Sequence, residues 1–220
     1  MDLKGKKINF LGDSITFGAQ VAPDEIFHAV LKKEAGLAEA RNYGIGGTRY
    51  ALQTTKDGWP FDDFIDTNSF CERYDEMDDD ADVIVVFGGT NDYGHGNAEL
   101  GTMEDRTADT FYGACHVLFT GLIKKYLGKP IIIMTPTHRI NEMNRKGELA
   151  REYGALIEYV GIIREVAEYY SLPVLDLYKE SGIQPEIEEV RVAFMPDGLH
   201  PNAAGHKIIA DRLKAFLERF

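Results

Sequence analysis

Cysteine is nearly absent from this chain, positive charge is in deficit, and no long apolar run occurs. The two cysteines of the 220 residues, Cys71 and Cys115, are too few and too far apart for a disulfide framework or a metal knuckle, so free thiols are expected. Against 36 Asp and Glu stand only 24 Lys and Arg, a net charge of -12. That balance repels nucleic acid and anionic membrane surfaces. No apolar stretch approaches the roughly 18 residues of a membrane span. "MDLKGKKINF" passes from a polar start into the first strand without a signal-peptide core, so a cytoplasmic protein is the expectation. Neither a repeat nor a low-complexity linker divides the sequence, and its length suits one domain over residues 1–220.

What is present is an alternation of short apolar runs with longer helix-period stretches, the pattern of repeated βαβ units and a parallel sheet. Strands are predicted at Lys6 to Leu11, in "AEARNYG" ending near Tyr43, in "ADVIVVFGG", in "PIIIMTP" and in "LPVLDL". The third is apolar almost throughout, as a central strand covered on both faces should be. Helices are predicted over Asp24 to Ala35, from Phe111 to a stop at Gly128 and Pro130, along a face running from Leu149 through Tyr153 and Leu156 to Tyr170, and from Ala203 to the end. Two stretches break the rhythm, Ala51 to Asp80 and Thr137 to Glu148, and loops of this length tend to be functional. The acidic run "DEMDDD" at 75–80 lacks the spaced oxygen ligands and glycine of a calcium loop and reads as a solvated turn.

Ligands of open parallel sheets bind beyond the carboxyl ends of the strands, so the polar residues just past each strand carry the functional reading. They are "GDS" after the first, "NYGIGGT" after the second, "GGTND" after the third, "THR" after the fourth and "DGLHPN" before the last helix. Taken singly each is ambiguous. Ser14 can cap a helix, cradle a phosphate or act as a nucleophile. The glycines can be simple turn formers, Asn91 can bond its own loop, and Asp197 and His200 can be ordinary surface residues. Together they supply a nucleophile, a base, an orienting carboxylate and several hydrogen-bond donors, the parts of an acyl-transfer site.

In this combination the sequence resembles the SGNH hydrolases, also called GDSL-type esterases and lipases: "GDSIT", Gly47 of "GIGG", Asn91 of "GGTND" and "DGLH" stand in family order from residue 12 to residue 200. The resemblance implies a three-layer α/β/α sandwich, flavodoxin-like, with a five-stranded parallel sheet. It implies Ser14 as nucleophile, His200 as general base and Asp197 as its orienting acid. The oxyanion hole would be formed by the backbone N–H groups of Ser14 and Gly47 and the side-chain amide of Asn91. Gly46 is the neighbouring candidate, and counting from Asn42 favours Gly47. Asp13 is expected to accept hydrogen bonds from loop amides and is kept as a possible substrate contact. Trp59, Tyr93, His95, His138 and Arg139 are expected around the mouth, whereas His28, His116 and His206 fall in helix patterns and read as structural. The expected activity is a cofactor-free and metal-free serine esterase acting on a short acyl ester, acetyl on a sugar hydroxyl. Lysophospholipase or thioesterase activity is the alternative within the family, and a non-catalytic sugar- or phosphate-binding module the alternative outside it.

Overall fold

The computed structural model describes residues 1–52, 68–147 and 152–220. In chain order the elements are β1 (Lys7–Gly12), α1 (Ser14–Phe17), α2 (Phe27–Ala35), β2 (Glu39–Gly44), α3 (Phe70–Arg73), β3 (Val83–Phe87), α4 (Thr90–Gly94) and α5 (Phe111–Lys125). They continue with β4 (Ile131–Met134), α6 (Leu156–Tyr169), β5 (Val174–Leu175), α7 (Leu177–Glu180), α8 (Glu188–Phe194) and α9 (Ala203–Leu217). The strands form one parallel sheet in the order β2-β1-β3-β4-β5. That order reverses between β1 and β3, the switch point at which doubly wound sheets open a crevice.

The apolar strand pattern follows from helices on both faces. Along β3, Ile84 and Val86 join the core under α5 and α6, while Val83, Val85 and Phe87 join the core under α2 and α9. β4 divides in the same way, Ile131 and Ile133 on one side and Ile132 and Met134 on the other. At the sheet's edge, β2 is only half-buried. Its Arg41 bridges to Glu39, Asp78 and Asp80, and Lys125 on α5 bridges to Asp75 and Asp79. The acidic run at 75–80 is therefore exposed, as expected, and also paired with the cations around it.

Boundaries move where side chains override periodicity. The helix expected from Leu149 begins at Leu156, because the Glu158 carboxylate reaches back to accept the Ala155 N–H at 2.7 Å; Tyr153 precedes it, and Leu149 lies outside the described residues. β5 shrinks to two residues, since Pro173 has no N–H to donate and Asp176 already caps α7. Among the described residues no helix is long and apolar enough to cross a membrane.

Three of the histidines have structural surroundings. His116 is buried on α5, its Nδ1 2.8 Å from the Tyr170 hydroxyl. His28 Nε2 lies 3.1 Å from the Thr16 carbonyl, and His206 Nδ1 accepts the Phe27 N–H at 3.3 Å. Burial pushes both His28 and His206 down to about 4. The unfolded chain takes up protons at these two positions first, near the ordinary value of about 6.5. Their contribution is thus intact above about pH 6.5 and is lost as pH falls toward about 4. Replacing His206 by Gln keeps an acceptor for Phe27 and removes one titration. The loss of stability between pH 6.5 and 4.5, measured by urea unfolding, is expected to be smaller in His206→Gln than in the parent chain, by up to about 3 kcal/mol.

Candidate active site

β1 ends at Gly12, and the chain turns at once into α1 with Ser14 as its first residue. Asp13 makes the turn: its Oδ1 accepts the Ile15 N–H at 2.9 Å and its carbonyl accepts the Phe17 N–H at 2.9 Å. It is 1% exposed, and burial pushes its carboxyl up to about 6. Its carboxylate thus bonds a backbone amide of the turn it makes and faces the interior.

Across the switch point, 186 residues later in sequence, His200 presents Nε2 3.0 Å from Ser14 Oγ. Its Nδ1 lies 2.7 Å from Asp197 Oδ2. Asp197 Oδ1 accepts the backbone N–H groups of Leu199 (2.9 Å) and His200 (2.7 Å). Partial burial works against the charged carboxylate, but these bonds outweigh it and hold Asp197 below the usual carboxylate range. Gln20, which the sequence reading did not single out, donates from Nε2 to Asp197 Oδ2 at 2.8 Å. It does so from a left-handed backbone, φ 69°, just beyond α1.

The turn after β2 is closed by the Thr48 N–H on the Ile45 carbonyl at 3.3 Å, while the Ile45 N–H is held by the Gly12 carbonyl at 3.1 Å. Gly47 is the third residue of that turn and has φ 77°, the region that favours glycine. Asn91, in the first turn of α4 and 5% exposed, donates from Nδ2 to the Thr48 carbonyl at 3.0 Å. Next to it, the buried Asp92 carboxylate accepts the Tyr50 and Ala51 N–H groups at 3.1 and 3.0 Å, and burial pushes it up to about 6. The turns after β1, β2 and β3 are thereby tied together at one edge of the sheet.

The residues expected at the mouth separate. Tyr93 and Arg139 border a cleft of about 390 Å³ beside Asp197 and Leu199, with Ile140, Asn141 and Asn144. There the Tyr93 hydroxyl donates to the Asn141 and Asn144 carbonyls at 2.6 and 3.0 Å, and the Arg139 guanidinium lies 5.4 Å over the Tyr93 ring. His95 does not reach the surface. It is 3% exposed because the end of α4 folds it inward, its N–H on the Asn91 carbonyl. His138 turns to Glu142 (2.8 Å) and packs on the Tyr178 ring at 3.9 Å. Trp59 lies outside the described residues. Ile140, Asn141 and Asn144 were legible only as part of a long loop.

Residues 10–208 match the model of the GDSL-like lipase/acylhydrolase family. One solved structure is 34% identical over 100% of this chain and 99% of its own, with a TM-score of 0.86. A protein from Lactobacillus plantarum is 29% identical over 98% of each chain, TM-score 0.82. A carbohydrate acetylesterase family member from Sinorhizobium meliloti is 17% identical over 97% of this chain and 98% of its own, TM-score 0.64. No curated protein matches the chain.

The glycines of the second turn are expected to respond differently to alanine. A Cβ on Gly44 would lie 2.2 Å from the Phe17 backbone nitrogen, whereas one on Gly46 would meet Ser14 Cβ at an ordinary 3.8 Å. Gly44→Ala should therefore be the most destabilising, and Gly47→Ala should cost about 1–2 kcal/mol for its left-handed backbone. Gly46→Ala should unfold close to the parent chain. Urea unfolding of the three variants checks this order.

Proposed function

The chain belongs to the GDSL-like lipase/acylhydrolase family, and from that premise we propose that it is a serine esterase removing a short acyl group, acetyl foremost, from a hydroxyl of a sugar-like alcohol. The observation that carries the reading is the unbroken line Ser14 Oγ, His200 Nε2, His200 Nδ1, Asp197 Oδ2 at 3.0 and 2.7 Å. A serine alcohol is a weak nucleophile until a base takes its proton as it attacks. His200 takes it at Nε2 while Asp197 fixes the Nδ1–H tautomer and stabilises the imidazolium.

Attack on the ester carbonyl produces a tetrahedral oxyanion, for which the donors are the Ser14 and Gly47 N–H groups and the second Nδ2 hydrogen of Asn91. His200 then passes its proton to the departing alcohol, leaving an acyl group on Ser14. Water repeats the sequence in the second half-reaction, with His200 again as base. Each oxyanion donor is worth about 2.7–4 kcal/mol of transition-state stabilisation. The sugar-like alcohol is supported by the cleft beside Asp197, whose Asn141, Asn144 and Arg139 offer polar groups suited to hydroxyls. The fold is shared with a carbohydrate acetylesterase family member.

A fluorophosphonate probe followed by peptide mass spectrometry is expected to modify Ser14 and no other serine, and Ser14→Ala should be unlabelled; labelling that persists in that variant refutes the nucleophile. His200→Ala should lower kcat by several powers of ten, and Asp197→Asn by on the order of 10⁴ with the fold intact by circular dichroism. Asn91→Ala should lower kcat about 10²–10³-fold with KM little changed. For substrate, acetate release from acetylated sugars and faster turnover of p-nitrophenyl acetate than of the dodecanoate are expected. The reverse chain-length order would favour a lysophospholipase or thioesterase.

A further inference from the structure

Arg73, the last residue of α3, is 5% exposed and lies beneath the catalytic edge of the sheet. Its guanidinium forms no hydrogen bond to a carboxylate among the described residues. It is spent on backbone and hydroxyl oxygens of β1, β2, the turn after β2 and the segment before α3. Nη2 donates to the Gly12 carbonyl at 2.6 Å and to Thr48 Oγ1 at 2.9 Å. Nη1 donates to the Tyr43 carbonyl, and Nε to the Asn68 carbonyl at 2.9 Å. Burying a cation in this way is costly. Burial pushes the guanidinium down to about 10, with the nearby Asp13 working against the shift. A planar fork of five donors can hold several fixed acceptors at once, which a lysine ammonium cannot do with the same geometry.

The acceptors share one destination. Gly12 is two residues before Ser14 and also receives the Ile45 N–H. The Thr48 hydroxyl, while accepting from Arg73, donates to the Ile45 carbonyl at 2.7 Å, the carbonyl that closes the Gly47 turn. The Thr48 carbonyl receives the Asn91 amide. One side chain therefore touches the strand end that precedes the nucleophile and the turn that carries Gly47 and accepts the Asn91 amide.

Resting on the esterase reading above, we propose that Arg73 is a positioning residue of the oxyanion site, fixing the spacing between the Ser14 turn and the donors at Gly47 and Asn91. It touches no substrate atom. Its effect appears in the transition state, where donors that have drifted no longer meet the developing charge.

The test is steady-state kinetics on p-nitrophenyl acetate for Arg73→Lys, Asn91→Ala and the double variant, with intact sites counted by fluorophosphonate titration. Counting sites separates mispositioning from partial unfolding. Arg73→Lys is expected to lower kcat per titrated site at least tenfold with KM within twofold. Added to Asn91→Ala, it should lower kcat by a smaller factor than it does in the parent chain, since part of its effect runs through the Asn91 donor. A kcat per site within twofold of the parent chain, or losses that multiply, overturns the proposal. If Arg73→Lys does not fold, Thr48→Val takes its place. Removing the hydroxyl that links the guanidinium to the turn should lower kcat at least threefold, and an unchanged kcat in the folded variant overturns the proposal. If the parent chain neither labels at Ser14 nor hydrolyses the ester, the esterase reading fails by itself. The spacing is then read by NMR: the Gly47 backbone amide and Asn91 side-chain amide signals should move in whichever variant folds, and unmoved signals overturn the positioning role.

Discussion

The site depends on the register of β1 against its two neighbours. Gly12, the last residue of β1, is paired with Gly44 of β2 on one side and with Phe87 of β3 on the other. Three parallel strands that end on one row deliver their connecting turns at one height, and those turns carry Ser14, Gly47 and Asn91. A slip of one residue in either ladder would send every side chain of the strand to the opposite face. The two separate cores that specify the register, one on each face of the sheet, therefore also specify the spacing of these three residues. Strand order adds the remaining condition. Because the topology reverses between β1 and β3, the helices that follow them leave on different faces, and the gap between them receives the loop of Asp197 and His200.

Beneath this edge the chain buries charge and holds it with backbone. Asp13 bonds the Ile15 amide, Asp92 the amides of Tyr50 and Ala51, and Arg73 the carbonyls of Gly12, Tyr43 and Asn68. Backbone partners cannot swing away as side-chain partners can, so each bond fixes a loop as well as satisfying an ion. The energetic penalty is visible in the two carboxyls, both pushed up to about 6 by burial. Such groups favour the folded chain less when ionised than a solvated carboxylate would, a cost accepted where loop geometry must be held.

What could be read from sequence divides along a physical line. Buried parallel strands announce themselves as apolar runs, unbroken in β3 and β4 and interrupted only by the buried Asn9 within Ile8–Leu11 of β1. Ser14, Asn91, Asp197 and His200 stand in compact motifs, and the fold brings Ser14, His200 and Asp197 into one hydrogen-bonded line. Gln20 and Arg73 stand in no such motif. Their importance lies in contacts made 177 and 61 positions away, and nothing local marks a glutamine in "GAQVAP" or an arginine in "FCERYD". The short helices α3, α7 and α8 span too few residues for a period to emerge. His95 shows the opposite failure: a polar residue just past a strand end invites a surface role, and only the fold of α4 reveals that it turns inward.

The wall of the cleft and the acid–base loop are joined through backbone. The Ile140 N–H donates to the carbonyl of Gly198 at 2.9 Å, the residue after Asp197, and the Ile140 side chain fills the space where a Gly198 Cβ would stand. The cleft wall at residues 140–144 is thereby continuous with the loop that carries Asp197 and His200. On the esterase reading proposed above, a change in the cleft wall would therefore be carried to the loop that holds the imidazole. On that reading, substitutions in the cleft wall would affect proton delivery to the leaving group as well as binding.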